Sequence, residues 1–267
     1  MRELGLDDVD LDAWFEVVEP PTDTPVLLVR VSSEVAATWV VDLVPGARRC
    51  YISDAALDAR AAASGADRSE VLAAALPDRG SVMAGDFGEI LTFVYLGRAR
   101  AGDTLGPKKW RLKDDRRRPA PHSDVVQFVV PGWPQASAAD ELLCAEVKTK
   151  STDGNSTPIS SAIADSEKDR LTRLARTLAW LKERALLGHL ESPPVAVIDR
   201  FLTDAHEHAP VTKTYFAVAV VSESVLDGVL AEAPETPPQD CTVLVLVVPE
   251  LKAIYEAVFD AVAASAG

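Results

Sequence analysis

The chain has 267 residues, 48% of them hydrophobic and 25% charged, so it can form a sizeable core and is not expected to be disordered. A net charge of −14 argues against a protein that coats nucleic acid without discrimination. Cys50, Cys144 and Cys241 lie too far apart in sequence to suggest a zinc site or a disulfide framework. We expect the three thiols to be reduced.

The amino terminus and the apolar runs bear on location. The first ten residues, MRELGLDDVD, lack the basic start and the apolar run of an export signal. The longest apolar runs cover about a third of the length that a bilayer-spanning helix requires. We therefore expect a cytoplasmic protein that does not contact a membrane.

Residues 1–80 are predicted to form an amino-terminal α+β accessory unit. It contains apolar runs at 26–31 and 38–44 and alanine-rich helices near 54–63 and 67–76. Proline and glycine in LPDRGSVMAGD then indicate a domain boundary near residue 80.

Residues 81–267 are predicted to form an α/β domain, a mixed β-sheet flanked by helices. The domain begins with a buried helix, DFGEILTFVYL, and a possible short strand at KKWRLK. Strands at 124–130 and 141–148 follow, joined by a hairpin-like connection. A long helix at about 159–187 precedes a strand, a helix, a strand and a final helix.

A basic segment interrupts the acidic chain. Nine Lys or Arg residues and three acids lie between Arg98 and Arg118, which gives a local charge of +6 and leaves −20 elsewhere. Six of these basic residues are candidates for nucleic-acid contact through the phosphate backbone: Lys108, Lys109, Lys113, Arg116, Arg117 and Arg118. A solvated loop is the alternative interpretation.

Two Glu-x-Lys triplets occur, and their contexts differ. With 41 acidic residues and 9 lysines in the chain, an acid-x-Lys triplet is expected roughly once by chance, so the spacing alone is weak. Glu250 and Lys252 follow a proline at the start of a predicted helix, where acids complement the helix dipole. Glu146 and Lys148 instead end an apolar strand and share one of its faces.

Other carboxylates are predicted to lie near Glu146. Asp124 begins the neighbouring strand, so the two acids could meet at one edge of the sheet. Glu89 is an acid embedded in the preceding buried helix, where an unpaired charge would be costly. Carboxylate oxygens suit Mg²⁺, and Lys148 could position an attacking water.

This order of helix, strand with Asp124, and strand with Glu146 and Lys148 resembles the PD-(D/E)xK nuclease superfamily. The segments GEILTFVYL, WRLK, HSD, AEVK and SSAIAD are together more narrowly similar to HamA, the nuclease subunit of Hachiman antiphage systems. The resemblance covers about residues 80–190. It implies a restriction-endonuclease-like core that cuts DNA with Mg²⁺ or Mn²⁺ and works with a helicase partner. It also implies that Glu89, Asp124, Glu146 and Lys148 are catalytic, the three acids being metal ligands.

Each of these residues also has a structural interpretation. Asp124 could be a strand-entry acid, Glu146 and Lys148 a solvated pair at a strand end, and Glu89 the partner of an arginine. Alternatives for the whole protein are a restriction, repair or RNA-directed nuclease, or a catalytically inactive nuclease fold that serves as an interaction or regulatory protein.

Overall fold

The computed structural model describes residues 1–21, 24–100, 102–202, 210–236 and 238–265. Within them, one seven-stranded sheet has the strand order β1-β2-β7-β6-β5-β4-β3. Its strands are β1 (Glu16–Val18), β2 (Leu27–Arg30), β3 (Thr104–Leu105), β4 (Val125–Val129), β5 (Glu141–Lys150), β6 (Thr212–Ser222) and β7 (Thr242–Val248).

The sheet is mixed, as the sequence predicts. Strands β5, β6, β7 and β2 run parallel to one another, whereas β1 pairs antiparallel with β2 at one edge, and β4 and β3 continue antiparallel from β5 at the other. The central strand β7 is buried from Val243 to Val248 and β6 from Ala217 to Val221, and both stretches are apolar on both faces of the sheet. Strands of this kind need helices on both sides, and the predicted α/β class is confirmed.

Helices cover both faces. They are α1 (Ser33–Asp42), α2 (Val44–Tyr51), α3 (Asp54–Ser64), α4 (Arg68–Ala75), α5 (Ser81–Arg98), α6 (Pro158–Lys168), α7 (Leu174–Leu186), α8 (Val195–Leu202), α9 (Leu226–Leu230) and α10 (Leu251–Ala264). Local sequence explains several of their ends. The Ser53 side chain caps α3, Gly65 ends it with a φ of +70°, and Asp67 forms a capping box with Glu70 at the start of α4.

Alternation along the central strands divides the core between the two faces. Val218 and Leu244 face the cluster that contains residues from α1, α2, α5 and α10. Their sequence neighbours Ala219 and Val245 face a second cluster that includes residues of α6 and α9. A third cluster joins β4 and β5 to α7 and α8.

The first 80 residues share this architecture. Strand β2 pairs in parallel with β7, with Leu27 opposite Leu244. Leu57 of α3 and Leu72 of α4 belong to the same hydrophobic cluster as Phe87 of α5. The two predicted segments, 1–80 and 81–267, therefore contribute to one sheet and one core, and the division between them stays a prediction.

Three local predictions need comment. The predicted strand at KKWRLK is wrong, because Lys109–Leu112 forms a 3₁₀ helix. Its neighbouring residues Lys109 and Trp110 are both buried, which the alternation of a surface strand does not allow. The long helix at 159–187 is present, but the π-helical turn Asp169–Arg173 separates α6 from α7. The short helix α8 was not predicted.

The structure also bears on two expectations from composition, the state of the cysteines and the absence of a membrane-spanning helix. The three cysteines are free thiols, with Cys50 and Cys144 buried and Cys241 partly exposed. In the part of the chain that the structure describes, none of the helices combines the length and the apolar character needed to cross a bilayer.

Candidate active site

Asp124 and Glu146 lie side by side at the ends of two paired strands. The antiparallel register sets Val125 opposite Ala145, which brings the residue before β4 next to Glu146 on β5. The Asp124 backbone N–H donates to Glu146 Oε1 at 3.3 Å, and the Val147 N–H donates to Asp124 Oδ2 at 2.8 Å. Backbone groups therefore orient both carboxylates at one edge of the sheet, where the sequence predicted them to meet.

Helix α5 brings Glu89 to the same edge. The helix approaches β5 closely at Gly88, where an added Cβ would lie 2.2 Å from Thr149 Oγ1. Glu89 is 5% exposed, and its Oε2 is buried and accepts no hydrogen bond from the described residues. Burial raises the pKa of Glu89 to about 8 against the opposing charge of Lys109, and nearby Asp124 adds to the rise.

Lys109 places an ammonium group among these acids. Its Nζ donates to the Ser123 backbone oxygen at 2.7 Å and lies 3.5 Å from Glu89 Oε2 and 3.9 Å from Asp124 Oδ1. The side chain is only 5% exposed. Sequence reasoning assigned Lys109 to nucleic-acid contact, whereas the structure places it inside the carboxylate site.

A second cation, Arg173, contacts Glu146. Its guanidinium contacts Glu146 Oε1 at 2.6 Å and Asp169 Oδ1 at 2.6 Å, and the Ser123 hydroxyl also donates to Asp169 at 2.7 Å. Burial, together with Asp124 and Asp169, raises the pKa of Glu146, while Arg173 opposes the rise. Asp169 and Arg173 both belong to the π-helical turn, a feature that is frequent at functional sites.

Lys148 is the more accessible cation of the site, with 31% of its side chain exposed. Its Nζ lies 3.8 Å from Glu146 Oε2 and 2.6 Å from Asp165 Oδ2 of α6. Burial alone would lower the pKa of Lys148, but the hydrogen bond to Asp165 and the charges of Asp124 and Glu146 raise it. Lys148 is therefore an ammonium ion at neutral pH.

Sequence reasoning missed Asp165, Asp169 and Arg173 as members of this site. One indication of these residues is present in the sequence: they are spaced four apart in the predicted helix that begins at SSAIAD. Side chains with this spacing lie on one side of a helix. That pattern also describes an ordinary solvated helix face. Only the position of the helix relative to β5 shows that these side chains contact Glu146 and Lys148.

The carboxylates adjoin a cleft of about 760 Å³. Asp86, Glu89, Asp124 and Lys148 line it, and Lys252 lies on the α10 side. Glu146 is 2% exposed and does not line the cleft in the part of the chain that the structure describes. An ion in the cleft would therefore reach Glu146 only after local adjustment of the pairs with Arg173 and Lys148.

The residues present fit a hard divalent cation. Among the described residues, no group of three or more Asp, Glu, His or Cys side chains is arranged so that it could hold a metal ion. Mg²⁺, however, keeps several waters and needs only one or two protein carboxylates. Glu89 Oε2 is a buried acceptor without a hydrogen bond from the described residues, and Asp124 lies close by. Metal binding by Glu89, Asp124 and Glu146 stays a prediction.

The other predicted nucleic-acid contacts divide into buried and exposed groups. Lys108 pairs with Glu3, and Lys113 pairs with Asp86 at 2.5 Å; both lysine side chains are almost fully buried. Arg116, Arg117 and Arg118 are more exposed and pair with Asp78 or Asp115. Of the six candidates, only these three arginines lie on an accessible surface, and contact with nucleic acid stays a prediction.

A family model described as HamA matches residues 11–262. This match extends well beyond residues 80–190, where the sequence motifs lie, and it includes most of the amino-terminal segment. None of the curated proteins compared with the chain matches it. HamA is the nuclease-like protein of Hachiman, a multi-protein antiphage defence system. The chain therefore belongs to the HamA family.

Proposed function

We propose that this protein is a nuclease that uses Mg²⁺ or Mn²⁺ to hydrolyse phosphodiester bonds in DNA. It acts as the effector of a Hachiman system and works with a helicase subunit. One observation carries this proposal: Glu89, Asp124, Glu146 and Lys148 converge at one sheet edge beside a cleft. The family match supports the role in antiphage defence.

Glu89 and Asp124 would hold the divalent ion, and Glu146 would complete the site. When bound, the ion supplies activation of a water molecule and stabilisation of charge on the scissile phosphate. Backbone N–H groups fix the Asp124 and Glu146 carboxylates before substrate arrives. Arg173 restrains Glu146 directly and also contacts Asp169, which accepts a hydrogen bond from the Ser123 hydroxyl.

Lys148 would act on the water or the phosphate directly. Its ammonium group is anchored by Asp165 yet reaches the cleft, so it can donate a hydrogen bond to the attacking water or to a phosphate oxygen. Hydrogen-bond donors that are already oriented toward developing negative charge are among the largest contributors to catalysis.

The charge distribution supports dependence on a partner. The chain is acidic, with a net charge of −14. Three of the six side chains predicted to contact phosphates, those of Lys108, Lys109 and Lys113, are almost fully buried. Such a protein has weak intrinsic attraction for DNA. A helicase subunit would then bring the DNA to the cleft.

A cleavage assay with purified protein tests the proposal. Duplex DNA, single-stranded DNA and RNA would each be incubated with the protein, with and without its helicase partner, in Mg²⁺, Mn²⁺ or EDTA. We expect metal-dependent cleavage of DNA that EDTA abolishes. Preferential cleavage of RNA would contradict the assignment of DNA as the substrate.

The second candidate is an inactive nuclease fold that serves as an interaction protein. It is favoured by the internal pairing of the acids, because Lys109 contacts Glu89 and Asp124 while Arg173 and Lys148 contact Glu146. The absence of cleavage under all of the assay conditions, together with the absence of Mg²⁺ or Mn²⁺ binding, would establish this candidate instead.

A further inference from the structure

Lys109 lies close to the carboxyl groups of the site, and a divalent ion would compete with it for them. Its ammonium group lies within 4 Å of both Glu89 and Asp124, and its hydrogen bond goes to the neighbouring Ser123 backbone oxygen. The 3.5 Å separation from Glu89 Oε2 is too long for a strong hydrogen bond. Lys109 thus balances charge without satisfying the Glu89 acceptor.

Contacts of the surrounding segment hold Lys109 in this place. The basic side chains of residues 108–113 all point to specific partners: Lys108 pairs with Glu3, Arg111 donates to the Arg49 backbone oxygen and pairs with Glu191, and Lys113 pairs with Asp86. Two of these partners, Glu3 and Arg49, belong to the first 80 residues. The amino-terminal part of the chain therefore helps to set the position of the cation in the site.

We propose that Lys109 is an internal counter-ion that competes with the divalent metal for Glu89 and Asp124, so that metal binding requires its ammonium group to move away. The inference rests on the proposed function, because it requires a divalent ion at these carboxylates. Two cations that share the same two carboxylates repel each other strongly at distances of a few ångströms in a poorly solvated site. Metal affinity is then set partly by how firmly residues 108–113 hold Lys109.

Calorimetric titration of Mg²⁺ into the metal-free protein tests this inference. Lys109→Met removes the charge and shortens the unbranched side chain by one atom, and we expect it to bind Mg²⁺ about tenfold more tightly than the wild type. Lys109→Arg keeps the charge and should bind no more tightly than the wild type. Lys182→Met, which removes an ammonium paired with Asp199 on α7 and α8, controls for the change in net charge.

Equal or weaker Mg²⁺ binding by Lys109→Met would overturn the inference, because Lys109 would then support the metal site or be irrelevant to it. Circular dichroism establishes whether that variant folds. If it does not fold, Arg111→Met is the deciding variant. This substitution removes contacts that hold residues 108–113 in place, and Arg111 does not contact Glu89 or Asp124. We expect it to tighten Mg²⁺ binding about threefold, and unchanged or weaker binding would overturn the inference.

The two proposals fail in different ways. If the wild type binds Mg²⁺ and the Lys109 or Arg111 variant shows no gain in affinity, only the counter-ion inference fails. If neither the wild type nor any variant binds Mg²⁺ or Mn²⁺, the proposed nuclease function fails and the inference fails with it.

Discussion

The two Glu-x-Lys triplets of this chain have the same spacing and very different surroundings. On β5, Glu146 is 2% exposed and lies 3.8 Å from Lys148 on the same strand face. At the start of α10, Glu250 is exposed and adopts a left-handed conformation with a φ of +47°. Among the described residues it forms no ion pair with Lys252.

The difference shows what a strand adds to a short motif. A strand sets residues two apart on one face and places them beside the neighbouring strand, so Glu146 meets both Lys148 and Asp124. At the start of α10, by contrast, the structure describes Glu250 and Lys252 as two solvent-exposed side chains that form no ion pair with each other. The chemistry therefore depends on the pairing of β4 with β5, and the predictions below test that dependence.

The largest expected effect comes from replacing the glutamate of each triplet. Glu146→Gln should lower the rate of DNA cleavage at least about a hundredfold, because it removes one carboxylate oxygen from the proposed metal site. Glu250→Gln is the matched control and should cleave at the wild-type rate. Initial rates of plasmid cleavage in Mg²⁺ measure both, and equal rates for the two variants would remove the distinction between the triplets.

Lys148→Ala should lower kcat about a hundredfold, because it removes the ammonium group that faces the proposed reacting phosphate. Mg²⁺ binding, measured by calorimetry, should be retained, since Lys148 is not a ligand. A variant that cleaves DNA at the wild-type rate would show that Lys148 is merely the structural partner of Asp165.

Arg173→Met should lower cleavage about 10- to 100-fold, because Glu146 and Asp169 lose the guanidinium that positions them. Arg173→Lys should restore part of the rate by restoring the charge. The pH profile of cleavage separates positioning from a purely structural role. If Arg173 keeps Glu146 ionised, the rising limb of the profile should move to higher pH in Arg173→Met.

Glu89→Gln should make the metal-free protein more stable at high pH. Burial raises the pKa of Glu89 from 4.5 to about 8, so the folded wild type loses stability as the pH rises through this interval. The neutral glutamine does not incur this loss. We expect the variant to exceed the wild type by about 1–3 kcal/mol in free energy of unfolding at pH 9, and by little at pH 5.

Urea unfolding in the presence of EDTA measures this difference at the two pH values. A variant that is less stable than the wild type at pH 9 would indicate that ionised Glu89 is well compensated by Lys109.

The smallest effect is expected at the exposed arginines. Replacing Arg117 and Arg118 together by alanine should weaken DNA binding a few-fold and reduce the salt dependence, with a slope smaller by up to about 2. Fluorescence anisotropy across a range of NaCl concentrations gives that slope. An unchanged slope would show that Arg117 and Arg118 only pair with Asp115 and do not contact DNA.

Sequence patterns predicted what depends on local order. Apolar runs identified β4 to β7, alternation set Glu146 and Lys148 on one face, and the alanine-rich segments predicted α3 and α4. The addition of β2 beside β7 could not be deduced in this way, because strand pairing across about 215 residues leaves no local signal.

The partners of the catalytic candidates were also beyond sequence reasoning. Lys109 belongs to a segment whose composition is typical of a solvated loop, yet its ammonium group lies among buried acids. Arg173 is 27 positions from Glu146 and contacts it at 2.6 Å. Charge pairing of this kind depends on tertiary geometry, and one sequence does not distinguish an internal lysine from an exposed one.

The central claim is that the acids at the end of β4 and β5 bind a divalent ion. Electron paramagnetic resonance of Mn²⁺ titrated into the protein measures this without requiring substrate or partner. We expect the wild type to bind Mn²⁺ at a site that Asp124→Asn abolishes while the fold is retained. Failure of the wild type to bind Mn²⁺, or equal binding by Asp124→Asn, would contradict the account.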